Sequence, residues 1–370
     1  MSTNTTRMQI ARRFLPVAAA ASALVIALTS TAQANPRILV DVRTGQVLDH
    51  EDAFRKWYPA SLTKMMTAYT VFRALRAGEL TLDSPVTMTK RAASQPASKM
   101  YYKPGQQMTL DSALKMLLVK SANDVAVAIA ESVGGSQEAF VARMNAEARR
   151  IGMTSSHFIN PNGLPGKGQY TTARDLAVLA VTLRREFPEY AGYFSLEGFT
   201  TGKKKYPNYN LLIGRFDGAD GMKTGFICAS GFNQVSSATR NGRTVVSVVL
   251  GTESLGARAD ASADMLQAGL TARSGSGQSL ATLRPYGDVS TVADISAEIC
   301  SAKGKKVRSE GRDEVGRMKI RSPNMHELTR EPNYVFAGLI AGSQAIAGKA
   351  AAAGGGEIAN VPVPTPRPTF

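Results

Sequence analysis

The chain has 370 residues, which is enough for one large domain with an appendage or for two modest domains. Apolar residues make up 44% and charged residues 20%, as in a globular protein with a substantial core, and the three histidines form no HExxH spacing that would favour a metallopeptidase. The formal net charge of +15 is unusual, and it indicates either a solvated basic surface or an anionic partner such as nucleic acid, acidic lipid or a cell-wall polymer.

The N-terminus has the three-part pattern of a secretory signal peptide. Residues 1–13 are polar and basic, residues 14–29 are apolar, and residues 32–34 (AQA) form a small-x-small cleavage site before Asn35. Because the apolar run is short for a transmembrane helix, the pattern favours a cleaved signal peptide over 1–34 rather than an uncleaved anchor. We therefore expect an exported protein of the periplasm or cell envelope. Export argues against a nucleic-acid partner and favours an envelope polymer.

A hairpin and then a series of helices are predicted in the first half of the chain. Residues 37–50 alternate apolar and other side chains on either side of a Thr44-Gly45 turn, which is typical of a β-hairpin. Residues 61–77 place apolar side chains at helical spacing. Further helices are predicted at 110–119, 125–133, 137–151 and 172–184.

From about residue 220 the pattern changes back to strands. The segments MKTGFIC, FNQVSSAT and TVVSVVL predict three strands, and the Asn241-Gly242 pair between the last two favours a hairpin turn. A helix at about 256–270 closes the domain. Strands at both ends with helices between them predict an α+β domain over 35–272, in which helices flank an antiparallel sheet of about five strands.

The composition changes after residue 272. Residues 273–280 are rich in Gly and Ser and predict a flexible linker, residues 303–321 are basic, and residues 361–370 are proline-rich. We expect residues 273–370 to form a basic, largely disordered extension. It would be either passive or in contact with an anionic wall polymer or a membrane surface.

The chain has two cysteines, Cys228 and Cys300. An exported protein can form a disulfide, but Cys300 falls in the region of low predicted order. The sequence therefore favours unpaired thiols over a bridge without deciding between them.

The first motif that carries chemistry is SLTK at residues 61–64. Pro59 precedes a predicted helix, so Ser61 lies at the helix N-terminus and Lys64 lies one turn further on the same face. A neutral lysine amine in that position can take the proton of the serine hydroxyl. The same SxxK spacing recurs at 112–115, so a capping serine with a surface lysine remains the alternative for either match.

Two further motifs follow. Residues 121–123 (SAN) lie in a turn between predicted helices and could reach a cleft, unless Asn123 or Asp124 only caps the next helix. Residues 223–225 (KTG) lie in a predicted edge strand. A lysine and a hydroxyl there can bind a carboxylate, and Gly225 would let a peptide substrate approach as an added strand. The alternative is a lysine that protects a sheet edge.

Together the three motifs are far more specific than any one of them. SxxK, SxN and KTG are the set found in serine β-lactamases and penicillin-binding proteins, and each falls on the predicted element that the set requires. With the segments YPASLTKMMTAY, KSANDVAVAIAE, FINPNGLPGKGQYTTARDLAVLA, GADGMKTG and GFNQVSSATRNGRTVVSVVLG, the chain resembles low-molecular-mass penicillin-binding proteins of the D-alanyl-D-alanine carboxypeptidase family, which are serine DD-peptidases. The resemblance covers roughly residues 36–272.

The resemblance implies a catalytic domain of the DD-peptidase/β-lactamase-like fold over 35–272. It implies removal of the terminal D-alanine from peptidoglycan stem pentapeptides, and covalent inhibition by β-lactam antibiotics. Ser61 would be the nucleophile, Lys64 its base and Ser121 a proton relay toward the leaving D-alanine. Because Lys64 must be neutral to act as a base, we expect burial and the nearby charge of Lys223 to lower its pKa.

The resemblance also implies a set of substrate contacts. Asn123 would hold the substrate amide and orient Lys64, and the terminal carboxylate would be bound by Lys223 and Thr224, with help from Arg258. Gly225 lies in the same strand, and the backbone N–H groups of Ser61 and Phe226 would form the oxyanion hole.

The sequence departs from the family pattern in two places. Phe226 stands where family members often have a polar residue. Residues after 272 do not resemble the β-rich second domain that is common in the family, and they do not end in an amphipathic anchoring helix.

Four other functions are compatible with parts of the sequence. A class A β-lactamase is disfavoured because no Glu-x-x-Leu-Asn lies between Asn123 and Lys223. A Ser-His-Asp hydrolase is disfavoured because no GxSxG occurs. A murein DD-endopeptidase, which has the same site and a cross-linked substrate, remains open. A non-catalytic wall-binding protein is disfavoured because all the catalytic side chains are present. No metal and no cofactor are predicted.

Overall fold

The computed structural model describes residues 1–2, 35–273, 275, 277–310 and 319–344, and only the backbone of residues 308–310. The described residues from Asn35 onward belong to one compact unit. Residues 3–34 of the predicted signal peptide and the proline-rich end of the chain lie outside the described residues.

The strands are β1 (Arg37–Asp41), β2 (Val47–Glu51), β3 (Lys56–Trp57), β4 (Pro85–Thr87), β5 (Gln107–Thr109), β6 (Gly198–Thr200), β7 (Lys205–Pro207), β8 (Ala219–Ile227), β9 (Gly231–Arg240), β10 (Arg243–Thr252), β11 (Val292–Ala293) and β12 (Tyr334–Phe336).

The α-helices are α1 (Thr63–Arg76), α2 (Lys90–Ala93), α3 (Leu110–Lys115), α4 (Asn123–Gly134), α5 (Gln137–Arg150), α6 (Ala173–Glu186), α7 (Gly192–Ser195), α8 (Leu255–Thr271), α9 (Ser296–Ile299) and α10 (Ala302–Glu310). Short 3₁₀ turns lie at Ala60–Leu62 and Pro188–Tyr190, and a π-helical turn lies at Met116–Lys120. Of the helices in the described part of the chain, none has the length and apolar run that crossing a membrane requires.

The central sheet has the strand order β2-β1-β10-β9-β8, and every neighbouring pair is antiparallel. This confirms the predicted α+β arrangement with a five-stranded antiparallel sheet. Strand β8, which carries the KTG motif, is an edge strand. It pairs with β9 on one side, with Lys223 opposite Val235 and Gly225 opposite Asn233, and its other side faces the start of α1.

Alternate residues of the sheet belong to two different cores. Val40 and Val246 lie in the larger core, which the sheet shares with most of the helices. Their sequence neighbours Leu39 and Val245 lie in a smaller core with Ala263 and other residues of α8. Successive side chains of a strand point to opposite faces, so a sheet covered on both faces has strands that are apolar throughout, such as TVVSVVL.

Helix α1 runs through the middle of the larger core. Every side chain from Thr63 to Phe72 is buried, and the helix contacts α4, α5 and α6. The helix is thus enclosed on nearly every side, polar side chains included. Its one buried cation, Lys64, must therefore find polar partners inside the protein.

Part of the predicted C-terminal extension packs against residues 35–272. Strand β11 pairs in parallel with β3, and β12 pairs in parallel with β6. The side chains of Leu280 and Leu283 are buried in the larger core. The linker predicted at 273–280 therefore ends at a leucine that is fixed in the core. The Gly- and Ser-rich composition of the linker does not predict this contact.

The two cysteines form a disulfide, so the expectation of unpaired thiols is wrong. The Cα atoms of Cys228 and Cys300 lie 5.6 Å apart. The Ile295 N–H donates to the Ala229 carbonyl at 3.1 Å, which brings the α9 segment beside the turn between β8 and β9. This packing, which local composition does not predict, places Cys300 next to the strand of the KTG motif.

Candidate active site

Ser61 lies in the 3₁₀ turn that leads into α1. The preceding residue, Ala60, has a φ of 47°, in the left-handed region that non-glycine residues rarely adopt. Gly163 packs directly against this turn, because a Cβ atom on it would lie 1.8 Å from the Ala60 carbonyl oxygen. The backbone of the 160–164 loop thus closes on the turn that presents the serine.

Lys64 lies one helical turn beyond Ser61 and is fully buried. Its Nζ lies 2.9 Å from the Ser61 Oγ, 2.8 Å from the Asn123 Oδ1 and 2.6 Å from the Asn162 carbonyl oxygen. Burial lowers the pKa of Lys64 well below its usual value, and the charge of Lys223 lowers it further, against a smaller opposing effect of Asp124. The direction agrees with the expectation drawn from the sequence.

The three partners of Lys64 suit a neutral amine. A neutral amine has two N–H donors and one lone pair. The Asn123 Oδ1 and the Asn162 carbonyl oxygen can only accept, so they take the two N–H groups. The lone pair is then left for the hydroxyl proton of Ser61. This is the arrangement that a general base needs before proton transfer.

Ser121 and Asn123 line the same cleft as Ser61. Ser121 ends the π-helical turn with a φ of 61°, and its Oγ is buried and makes no hydrogen bond within the described residues. Asn123 is the first residue of α4. Its N–H donates to the Ser98 carbonyl at 2.7 Å, and its Nδ2 donates to the Pro96 carbonyl at 3.0 Å. The second contact points the Asn123 Oδ1 toward Lys64.

The buried Asp124 carboxylate accepts the Val125 N–H in the first turn of α4 at 2.9 Å, so it stabilises the start of the helix as the sequence suggests. It also accepts the N–H groups of Met100 at 2.8 Å and Tyr101 at 3.0 Å, which lie outside the helix. Burial raises the pKa of Asp124. The hydrogen bonds from Met100 and Tyr101 fix the 96–101 segment to α4. The same segment supplies the Pro96 and Ser98 carbonyls that bind Asn123.

Strand β8 and helix α8 bring two buried cations to the cleft. Lys223 is 1% exposed and donates to the Thr224 carbonyl at 2.9 Å. Arg258 is 2% exposed and donates to the Tyr209 carbonyl at 3.2 Å. Burial and then the charge of Arg258 lower the pKa of Lys223 to about 7, and burial lowers the pKa of Arg258 to about 9. Within the described residues neither cation has a carboxylate partner, so the pair suits an anionic ligand.

Gly225 allows the edge of β8 to approach Ser61 closely. A Cβ atom at this position would lie 3.0 Å from the Ser61 nitrogen and 3.2 Å from the Leu62 nitrogen. The next residue, Phe226, is 38% exposed at the rim, with its ring centroid 4.3 Å from that of Phe232. Apart from the buried Lys64 and Lys223, all the residues predicted for the site border one cleft of about 310 Å³: Ser61, Ser121, Asn123, Thr224, Gly225, Phe226 and Arg258.

Sequence reasoning assigned no role to several residues of this cleft. Asn162 supplies a carbonyl to Lys64, Gly163 supports Ala60, and Tyr209 and Leu255 form one wall. Only the Pro-Asn-Gly turn at 161–163 carries a local signal that could have been used.

The second SxxK match is not part of the cleft. The Ser112 Oγ accepts the Gly338 N–H at 3.3 Å, while Lys115 pairs with Asp111 at 2.6 Å and donates to the Phe336 carbonyl at 3.2 Å. Ser112 and Lys115 therefore hold the C-terminal extension.

Residues 21–254 match the family model described as D-alanyl-D-alanine carboxypeptidase. The chain belongs to the D-alanyl-D-alanine carboxypeptidase family. This confirms the resemblance found in the three motifs. Among the family's curated members, D-alanyl-D-alanine carboxypeptidase DacC of Escherichia coli is 40% identical over 245 residues, which cover 64% of this chain and 61% of DacC. DacF of Bacillus subtilis is 33% identical over 223 residues, which cover 59% of this chain and 57% of DacF.

Solved structures of family members agree with the fold. The structure of DacD from Francisella tularensis is 34% identical, with a TM-score of 0.62, over 64% of this chain and 70% of that one. Penicillin-binding protein D2 from Listeria monocytogenes, in its ampicillin-bound form, is 29% identical with a TM-score of 0.60 over 65% of this chain and 98% of that one. The fold is therefore that of the DD-peptidases. The chain spans about three fifths of the length of the two curated relatives above.

Proposed function

We propose that this family member is a serine-type D-Ala-D-Ala carboxypeptidase that removes the terminal D-alanine from peptidoglycan stem pentapeptides. The observation that carries the proposal is the contact between the Ser61 hydroxyl and a buried lysine whose pKa is lowered well below its usual value. The names of the relatives support the same reaction.

In the proposed mechanism the neutral Lys64 amine takes the Ser61 proton as Oγ attacks the carbonyl carbon of the penultimate D-alanine. The N–H groups of Ser61 and Phe226 stabilise the resulting oxyanion. When the C–N bond breaks, the leaving amine takes a proton from Lys64 through the Ser121 hydroxyl, and an ester remains on Ser61. Water then hydrolyses this ester, which regenerates the serine and releases the shortened peptide.

The substrate would bind along the open edge of β8. Its terminal carboxylate would lie by Lys223, Thr224 and Arg258, since Lys223 and Arg258 are buried cations with no carboxylate partner among the described residues. The Asn123 side chain would hold the substrate amide by donating its second Nδ2 hydrogen to the amide carbonyl. β-Lactam antibiotics would acylate Ser61, as supported by the ampicillin-bound relative. Because the same cleft could accept a cross-linked peptide, a DD-endopeptidase is the second candidate.

The assay that tests the proposal measures D-alanine release from a pentapeptide ending in D-Ala-D-Ala, together with covalent labelling by a fluorescent penicillin. We expect the wild-type protein to do both and the Ser61→Ala variant to do neither. Ser112→Ala is the matched control, because Ser112 begins the other SxxK match, and it should retain both activities. Absence of release by the wild-type protein would refute the carboxypeptidase; absence of labelling as well would favour a non-catalytic wall-binding protein.

We also propose that the chain is exported, with residues 1–34 removed as a signal peptide, and that the basic end of the chain contacts anionic wall polymer or phospholipid. The substrate class, which is part of the cell envelope, supports an envelope location. N-terminal sequencing of protein recovered from the envelope should begin at Asn35. An N-terminus at residue 1 or 2 would show that the signal is retained.

A further inference from the structure

A second pocket, of about 330 Å³, adjoins the catalytic cleft and shares Tyr209 and Leu255 with it. Its other walls come from the 207–215 segment and from the C-terminal extension, which contributes Leu328 and Pro332. The lining is mainly apolar. The pocket thus borders the catalytic cleft at Tyr209 and Leu255, and the extension completes the pocket wall.

The two residues that the pocket shares with the cleft lie beside Arg258, at the end of the cleft where the leaving group would lie. Leu255 begins α8 and lies one turn before Arg258, which donates to the Tyr209 carbonyl. These residues mark the carboxylate end of the proposed substrate site. The Tyr209 ring is held in place by Lys120, whose Nζ donates to the phenolic oxygen at 2.9 Å. A group attached to the residue that carries the carboxylate would therefore meet this pocket first.

The extension is fixed where it forms the pocket wall. The Leu328 Cδ2 lies against Gly214, where an added Cβ would be only 2.9 Å away. On one side of Leu328, the His326 N–H donates to the Arg215 carbonyl at 2.9 Å. On the other side, Arg330 donates to both carboxylate oxygens of Glu197, one of them at 2.8 Å.

The charges around the pocket are compensated. The Arg330 hydrogen bond lowers the pKa of Glu197, so this carboxylate is ionised and paired. Arg215, the other charged residue of the lining, lies 3.5 Å from Glu327. With both charges paired, the pocket favours an uncharged aliphatic group over an ion.

We propose that this pocket is a leaving-group subsite that accepts a D-residue with an aliphatic side chain longer than that of alanine. The proposal rests on the proposed DD-peptidase function and specifies its substrate class. The reaction is unchanged: the C–N bond to the larger D-residue breaks, its amine takes the proton, and Ser61 keeps the acyl group. The extension then determines specificity without contacting the reacting atoms.

The test compares kcat/KM of the full-chain protein for diacetyl-L-Lys-D-Ala-D-Ala and diacetyl-L-Lys-D-Ala-D-Leu. We expect the D-Leu peptide to be hydrolysed at least as well as the D-Ala peptide. Leu328→Ser removes apolar surface and should lower kcat/KM for the D-Leu peptide about tenfold, leaving that for the D-Ala peptide unchanged. Leu328→Trp, which fills the pocket, should have the same selective effect. Leu339→Ser is the matched control, because Leu339 is on the extension but packs against the larger core.

Each outcome has a distinct meaning. A wild-type preference of tenfold or more for the D-Ala peptide would overturn the subsite, and so would equal losses on both peptides in both Leu328 variants at unchanged penicillin labelling. Those results would not contradict the proposed carboxypeptidase function. If neither peptide is hydrolysed by the wild-type protein, the proposed function fails and the subsite fails with it.

Discussion

Lys64 and Lys223 are both buried beside Ser61, and the charge of Lys223 lowers the pKa of Lys64. In the proposed mechanism the two amines need opposite protonation states. Lys64 must be neutral to accept the serine proton, whereas Lys223 must be charged to bind a carboxylate. One buried cation thus helps to keep the other neutral, which couples substrate binding to activation of the nucleophile.

The acid limb of the pH profile should depend on Lys223. At pH values below the Lys64 pKa the amine is protonated and the acylation rate falls. Lys223→Met removes a nearby positive charge, so the Lys64 pKa rises and the acid limb of kcat/KM moves to higher pH, while the maximum falls roughly ten- to hundredfold. Lys223→Arg keeps the charge and should leave the acid limb in place. An acid limb that is the same in all three proteins would refute the coupling.

The alkaline limb should report Lys223 itself. Its pKa of about 7 means that kcat/KM, which reflects the free enzyme, falls as pH rises through this value and the cation is lost. Lys223→Arg should extend activity to higher pH because a guanidinium keeps its charge to a higher pH than an amine does. Peptide hydrolysis measured from pH 6 to 10 tests this. If the alkaline limb is the same in the variant and the wild type, a group other than Lys223 causes it.

Gly163→Ala should impair acylation by moving a loop. The added Cβ would lie 1.8 Å from the Ala60 carbonyl oxygen, so the loop must shift and take the Asn162 carbonyl away from Lys64. We expect penicillin labelling to slow by about a hundredfold, the loss expected from misplacement near 1 Å. Gly152→Ala is matched in backbone, with a φ of +85° against +86°, but meets nothing within 4 Å. The Gly152→Ala variant should lose only about 1–2 kcal/mol of folding stability. Its rate of penicillin labelling should equal that of the wild type.

Removal of the disulfide should lower stability more than activity. Cys228 and Cys300 are separated by 72 residues, and closing a loop of that size stabilises by up to about 4 kcal/mol. The Cys228→Ser/Cys300→Ser double variant should unfold at lower urea concentration than the wild type. Reductant should bring the wild type to the same midpoint and leave the variant unchanged. A reductant effect on the variant would point to a cause other than this bridge.

The sequence predicts much of the fold and the main groups of the site, because these follow from local patterns. The segment MKTGFIC predicts the strand at 219–227, the helix from Thr63 has an apolar stripe, and the three motifs fall on a helix start, an interhelix turn and an edge strand. Family resemblance then assigns roles that the pattern alone leaves open, as for Arg258.

The remaining features depend on contacts between segments far apart in the chain. Nothing near Cys300 indicates that α9 packs beside β8, and nothing near Leu328 indicates that it borders a pocket with Tyr209. The Asn162 contribution to Lys64 is a backbone carbonyl, which no residue type reveals. Composition describes the extension as basic and poor in apolar residues, yet a few well-spaced residues such as Leu280 anchor it.

The attachment of the extension has a consequence for the order in which the protein matures. A chain made from its N-terminus presents every proposed catalytic and carboxylate-binding side chain, from Ser61 to Arg258, before Cys300 or Leu328 has been synthesised. The nucleophile can therefore be assembled while the leaving-group side is still open. During that interval the nascent enzyme would lack the apolar wall of the leaving-group pocket, and only the arrival of Leu328 would add larger D-residues to its substrates.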